Sequence, residues 1–452
     1  MPYIPHTKED TEEMLSSIGA PDISSLFDEI PTSLQQSAFE HIPDGMSEMT
    51  MLNHAKYLSR NNENGICFIG AGAYEHHIPA AVWDIASRGE FLTAYTPYQA
   101  EASQGTLQLL YEFQTMMAEL TGLDVSNASM YDGATALAEA VLMAIRIHRS
   151  STSNRILLVG TIHPFYRETL ETIVQNQHIE IINLPFDPDT GITAIQSLEP
   201  YTNEDIAGIV INQPNFFGCL EEVDAMCDWA HDNGVISIGC VNPISLGLIS
   251  PPGSWGKHGV DIACGEGQPL GSPLASGGPY FGFLCTKLEH VRQIPGRLIG
   301  RTLDKEGKIG FTLTLQAREQ HIRRGKAKSN ICTNQGLLVT AATIHMSLLG
   351  EQGLQQVAQA CFNNTHELIK ALTNINGVDC VFSSPFFHEA LLKLNKPVDD
   401  ILEGLHHAGI DGGYAIEPHF PQLQNTLLVC ATEMRTPDEI KHYAKTLEQL
   451  MN

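Results

Sequence analysis

Residues 206–243 read IAGIVINQPNFFGCLEEVDAMCDWAHDNGVISIGCVNP. An apolar, β-branched run (206–214) is followed by a stretch with helical apolar spacing (223–231), and then by a second such run (235–243). Neither run alternates cleanly between apolar and polar, as a half-exposed strand would. Strands of this kind are covered on both faces, and a helix between two of them predicts parallel pairing through a crossover. Further strand-like runs lie outward from this unit, at 155–160 (RILLVG), 179–185 (IEIINLP), 261–265 (DIACG) and 279–285 (PYFGFLC). Helical periods at 135–148 and 165–175 separate the earlier ones. The expected class is therefore α/β, with a mostly parallel sheet and with ligands taken at the carboxyl ends of its strands.

The rhythm changes on both sides of this block. Residues 1–60 hold ten acidic residues in the first 50 positions, with Lys8 the only base among those 50, and show helical spacing over 8–18 before Gly19. Asp22 or Ser24 can cap a second short helix through Phe27. Beyond 330 a long helix near 332–349 leads into strands near 378–382, 389–394 and 426–430. The expected organisation is an N-terminal helical arm over 1–60, a large α/β domain over 61–330 and a smaller C-terminal α/β domain over 331–452.

Composition narrows the function. The 452 residues carry 26 Lys+Arg against 52 Asp+Glu, a net charge of −26. Such a field repels phosphate backbones and anionic headgroups, so neither a nucleic acid nor a membrane is an expected partner. No apolar run approaches the ~20 residues of a membrane span, and the opening MPYIPHTKEDTEEM is acidic and unlike a leader. These features point to a cytoplasmic chain. The ten cysteines are widely spaced, none in C-x-x-C, and read as reduced core thiols. The histidines never complete H-E-x-x-H, so no metal centre is expected.

Several segments admit two readings. Gly70-Ala71-Gly72 resembles the start of a dinucleotide fingerprint, but its sixth position is Glu75, which opposes a pyrophosphate, and a plain turn fits better. Asp132-Gly133-Ala134-Thr135 precedes a long Ala-rich helix and suits either a phosphate or capping by Asp132, with the cap favoured. Residues 292–328 hold ten basic and three acidic residues, a local +7 inside the acidic chain. That segment reads equally as a solvated face or as a dock for an anionic ligand or acidic partner. Tyr95-Thr96-Pro97-Tyr98-Gln99-Ala100-Glu101 places two phenols and a carboxylate on a stiff turn, as a pocket wall or as interface packing.

The stretches YTPYQAEASQGTLQ (95–108), PPGSWGKHGVDIACGEGQPLGSPLASGGPYFGF (251–283), IPGRLIG (294–300) and REQHIRRGKAKSNICTNQGL (318–337) resemble the glycine cleavage system P-proteins. EMLSSIGAPDISSLFDEIP (13–31) is similar to the family's N-terminal arm. The similarity runs over nearly the whole chain, which has half the length of the family's single-chain form and so resembles the first (α) subunit of its two-chain form. The resemblance implies a fold type I, aminotransferase-like fold dependent on pyridoxal 5'-phosphate. It also implies an activity: glycine is decarboxylated, and its aminomethyl group passes to the lipoyl arm of H-protein, the cofactor ring serving as electron sink.

Two hallmarks of that chemistry are missing from this chain. In the catalytic half of the family the cofactor lysine follows a His and lies nine residues before the first Gly of Gly-Gly-Pro. Counted back from Gly277-Gly278-Pro279, that position is Gln268, preceded by Gly267. The strand end Gly239-Cys240-Val241-Asn242 offers no carboxylate for a ring nitrogen, only Asn242. The expectation is a paralogous half with no covalent cofactor, the pyridoxal phosphate residing on a second subunit in a heterotetramer. Tyr95, Tyr98 and Glu101 are the candidate pocket wall, and Arg323, Arg324 and Asn330 the candidate partner interface or pocket rim. Two other classes remain open: an autonomous enzyme using Lys257, Lys287, Lys326 or Lys328, and a purely structural or regulatory subunit.

Overall fold

The computed structural model describes residues 6–35, 42–60, 62, 65–92, 95–148, 152–275 and 277–452. Residues 1–5 of the opening segment, Asn61 at the expected start of the large domain, and Ser276 of the glycine-rich loop lie outside them. The chain forms two compact units, Met1–Glu63 and Asn64–Asn452.

The first unit is helical. Helix α1 (Lys8–Ile18) starts where its sequence says it should: Asp10 N–H donates to Thr7 Oγ1 (3.1 Å) while Thr7 N–H donates to Asp10 Oδ2 (2.9 Å). This reciprocal pair satisfies two orphan donors, and Gly19 ends the helix in the left-handed region at φ 70°. A short 3₁₀ turn over Ser24–Phe27 follows, braced by Asp22, and then helix α2 (Glu48–Ser59) capped by Ser47. Neither helix buries a residue.

The second unit is built on a seven-stranded sheet. In chain order its strands are β1 (Val125–Ser126), β2 (Arg155–Val159), β3 (Glu180–Leu184), β4 (Gly208–Gln213), β5 (Ile236–Val241), β6 (Ile262–Glu266) and β7 (Gly282–Thr286). Their spatial order is β1-β7-β6-β5-β4-β2-β3. The five from β2 to β6 pair in parallel, while β7 runs antiparallel to both of its neighbours. Every residue of β4 and β7 is buried, which is why these runs lack alternation. Helices α3 (Gln104–Thr121), α4 (Gly133–Ile147), α5 (Pro164–Val174) and α6 (Val223–Asp232) supply the covering, and α4 alone buries ten residues.

Helix α7 (Gly336–Leu372) is interrupted at Gly350, whose φ of 61° and ψ of −174° no right-handed helix tolerates. The expected helix near 332–349 thus starts four residues later and resumes beyond a break. It leads to a second sheet of β8 (Val378–Cys380), β9 (Glu389–Leu394), β10 (Tyr414–Ala415) and β11 (Thr426–Cys430), antiparallel throughout in the order β8-β9-β11-β10. Helices α8 (Val398–His407) and α9 (Pro437–Met451) close its core on Leu392, Leu427, Leu405, Tyr443 and Leu447. All ten cysteines are free, and seven are buried as expected. Cys332 and Cys380 are exposed instead, each placed by a loop or strand edge rather than by a core run. No helix among the described residues is long and apolar enough to cross a membrane.

Candidate active site

Parallel pairing of β4, β5 and β6 brings their carboxyl ends to one edge of the sheet, where the following loops diverge. A small cavity of about 60 Å³ opens there, lined among others by Asn212, Asn242, Glu266, His163, Tyr166 and Tyr74. This is the strand-end location expected of a parallel α/β sheet.

Gln268, two residues past β6, is 1% exposed and fully committed. Its Oε1 accepts from Tyr74 N–H (2.9 Å), and its Nε2 donates to the carbonyls of Tyr74 (2.8 Å) and Ser272 (2.9 Å). Asn242, just past β5, accepts from Ile244 N–H (2.9 Å) and lies 3.3 Å from His388 Nε2. His163 caps α5, accepting from Phe165 N–H (3.2 Å) and holding the Ala71 carbonyl at 2.8 Å through Nε2. Burial pushes its imidazole down to about 4, so the ring is neutral, with its proton on Nε2. It stacks on Tyr166 at a centroid distance of 5.0 Å.

Glu266 ends β6 and reaches the start of α4. Its carboxyl accepts from Gly133 N–H (2.9 Å) and Gln268 N–H (3.0 Å). Burial pushes it up to about 8, against the pull of those amides and with Asp132 adding to the rise. Asp132 itself is the cap: Thr135 N–H donates to its Oδ1 at 2.8 Å. A second carboxyl, Glu389 at the start of β9, accepts from Ala71 N–H (2.6 Å) and Tyr74 Oη (2.7 Å), and burial raises it to about 7. The turn at 70–74 is thereby pinned to the second sheet.

A pyridoxal group does not fit these residues. The amide at Gln268 cannot form an imine, Asn242 has no charge for a ring nitrogen, and the first α4 amide, Gly133 N–H, already holds Glu266. The cavity is also far below the roughly 300–1,000 Å³ of usual cofactor pockets.

The other predicted residues lie elsewhere. Tyr95 and Tyr98 are 82% and 60% exposed, and Glu101 is exposed on a 3₁₀ turn. Tyr98 has a partner that sequence reasoning missed, Arg297 of the IPGRLIG stretch. This buried guanidinium donates to Tyr98 Oη (3.1 Å), Thr333 Oγ1 (2.9 Å), Asn334 Oδ1 (3.2 Å) and Thr96 Oγ1 (3.3 Å). It therefore knits three of the family-like stretches into one surface. Arg323, Arg324 and Asn330 are exposed, Arg323 donating to the Ala317 carbonyl at 2.9 Å. Of the candidate lysines, Lys287 pairs with Asp261 (2.7 Å), and Lys257, Lys326 and Lys328 are exposed; none lines the strand-end cavity.

A His/Cys/Glu cluster joins positions some 350 residues apart, invisible to motif spacing. Glu433 Oε2 lies 2.7 Å from His76 Nδ1 and 3.3 Å from Cys361 Sγ, and its Oε1 accepts from His77 N–H (2.7 Å). These bonds account for the cluster as a clasp on the 70–79 loop.

The family model described as glycine cleavage system P-protein matches residues 1–447. This chain belongs to that family. A probable glycine dehydrogenase (decarboxylating) subunit 1 from Legionella pneumophila subsp. pneumophila strain Philadelphia 1 is 72% identical over 452 residues, covering 100% of this chain and 99% of the relative. The crystal structure of a glycine decarboxylase (P-protein) of the glycine cleavage system, in inhibitor-bound form, superposes with a TM-score of 0.89 at 40% identity, covering 100% of both chains. The fold of this P-protein chain is also that of a C-DES variant with glycine covalently linked to its pyridoxal-phosphate cofactor. There the TM-score is 0.62 at 16% identity, over 90% of this chain and 99% of the other. The fold type I expectation holds.

Proposed function

We propose that this P-protein chain is the subunit of a two-chain glycine dehydrogenase (decarboxylating) that does not bear the cofactor lysine. With a second subunit it decarboxylates glycine, releases CO2 and passes the aminomethyl group to the lipoyl arm of H-protein. The pyridoxal phosphate sits on the second subunit, in a heterotetramer working in the cytoplasm without nucleic acid or membrane. The working division is arm 1–60, large domain 61–330 and small domain 331–452. The single observation that carries the reading is Gln268, which stands where the family's lysine is expected and spends both polar atoms of its side chain on backbone. Full-length similarity to relatives named as subunit 1 supports the complex.

Tyr95, Tyr98 and Glu101 are proposed to face the glycine or lipoyl end of the second subunit's pocket, with Arg323, Arg324 and Asn330 at its rim. Their exposure leaves them available to a partner, and Arg297 holds Tyr98 in a fixed pose. The test of the main reading is borohydride reduction of the two-subunit complex with pyridoxal phosphate, followed by peptide mapping. A pyridoxyl-lysine only on the second subunit, with glycine–bicarbonate exchange needing both chains, is expected. A stoichiometric adduct on this chain would overturn it and restore the autonomous-enzyme alternative. For the wall, Tyr95→Phe and Tyr98→Phe are each expected to lower kcat roughly tenfold or more in an intact complex. Unchanged turnover would remove these residues from the site.

A further inference from the structure

The first turn of α4 is a ready anion cradle, since its N–H groups have no partner within the helix. In this chain two of those donors, Gly133 N–H and Thr135 N–H, end on the chain's own carboxyls. Thr135 N–H goes to Asp132, and Gly133 N–H goes to Glu266, which is also held by Gln268 N–H. The approach is close: a Cβ on Gly133 would fall 2.2 Å from Tyr166 Oη and 2.8 Å from the Glu266 nitrogen. Only glycine there lets the helix start meet the end of β6. The rest of the cavity has the aromatic and amide lining of a ligand pocket, with His163 and Tyr166 stacked along one wall. What Glu266 occupies is the position at which a bound anion would collect amide hydrogen bonds.

We propose that Glu266 is an internal occupant of the α4 anion cradle, closing this subunit's strand-end pocket to phosphate-bearing ligands. The inference rests on the reading that the cofactor belongs to the second subunit, and it supplies the means: one subunit is barred from loading while the other is filled. Gln268 removes the covalent anchor, and Glu266 removes the phosphate seat. Each is a separate loss, so restoring a lysine alone leaves the cradle plugged.

The probe is inorganic phosphate, added to the full-length chain and compared with chloride at matched ionic strength. Glu266→Ala is expected to gain a saturable, phosphate-dependent rise in Tm of about 2 °C or more, together with broadening of the phosphate ³¹P line. The native chain is expected to show neither. Glu266→Ser, smaller and still polar, serves the same purpose should the alanine variant fail to fold. A folded variant with no phosphate response, or a native chain that responds equally, overturns the proposal. Borohydride reduction of the native chain with pyridoxal phosphate separates the two readings. An adduct on this chain defeats the assignment of cofactor to the partner, whereas no adduct combined with unresponsive variants defeats only the role of Glu266.

Discussion

At the scale of single residues, Gln268, proposed to stand where a cofactor lysine is expected, is committed to structure. A terminal amide offers two donors and an acceptor on a planar head, and here it bridges Tyr74 N–H, Tyr74 C=O and Ser272 C=O, all buried with it. Gln268→Leu preserves approximate bulk but strands those three groups. Unsatisfied buried groups cost about 1–3 kcal/mol each, so urea unfolding is expected to lose on the order of 3 kcal/mol with an unchanged m-value. A loss below about 1 kcal/mol would mean that water replaces the amide. The position of Gln268 was legible by counting back from Gly277-Gly278-Pro279. Its purpose was not, because Tyr74 is 194 residues away. Glu266 was equally visible as a letter in a glycine-rich loop and equally mute about Gly133. Arg297 escaped notice because an arginine inside a basic segment reads as surface charge, whereas burial makes it the hub beneath Tyr98.

Secondary elements were legible wherever one local rule decides them. The covered strands β2, β4 and β5 follow from runs of Ile, Val and Leu, α1 from its helical apolar spacing ahead of Gly19, and α4 from the Asp132 cap. The antiparallel hairpin of Ile299–Leu303 and Ile309–Leu313 was not anticipated, since its strands are mostly solvent-facing and carry no apolar run. The 70–79 loop is irregular in sequence but tied down by tertiary bonds, chiefly the Glu433 clasp. Burial opposes ionisation of Glu433, yet the hydrogen bond and charge of His76 and the His77 amide bring it down to about 2. A carboxylate below its ordinary 4.5 stabilises the fold above that pH, and the contribution disappears as pH falls toward 2. Glu433→Gln is therefore expected to lower stability at pH 7 by about 3 kcal/mol and to flatten the acid limb between pH 4.5 and 2. An acid limb of unchanged steepness in a urea–pH series would assign it to other groups.

Over the whole molecule, buried ionisable groups act in opposition. Burial raises Glu221 and Glu389 to about 7 and Glu266 to about 8, so each favours the fold while protonated. Their stabilisation, full below the ordinary value of 4.5, is lost as pH rises to 7–8. Burial also lowers His163 and His345 to about 4 and His388 to about 3. These bases favour the fold while neutral, and that stabilisation is lost as pH falls from 6.5 toward 4 and 3. Between pH 4.5 and 6.5 the unfolded chain has shed three carboxyl protons and gained three imidazole protons relative to the fold, so the two sets cancel. Above 6.5 only the carboxyls act, joined by the self-repulsion of a chain carrying −26. Tm is therefore expected to be level from pH 4.5 to 6.5 and to fall from 6.5 to 8. Added salt offsets the repulsion but not the cost of ionising a buried carboxyl. The part of the alkaline fall that survives in 0.5 M salt, where the Debye length is only about 4 Å, belongs to the buried groups, and Glu389→Gln is expected to shrink it. A Tm that climbs from pH 6.5 to 8 would show that these carboxyls are already ionised in the fold.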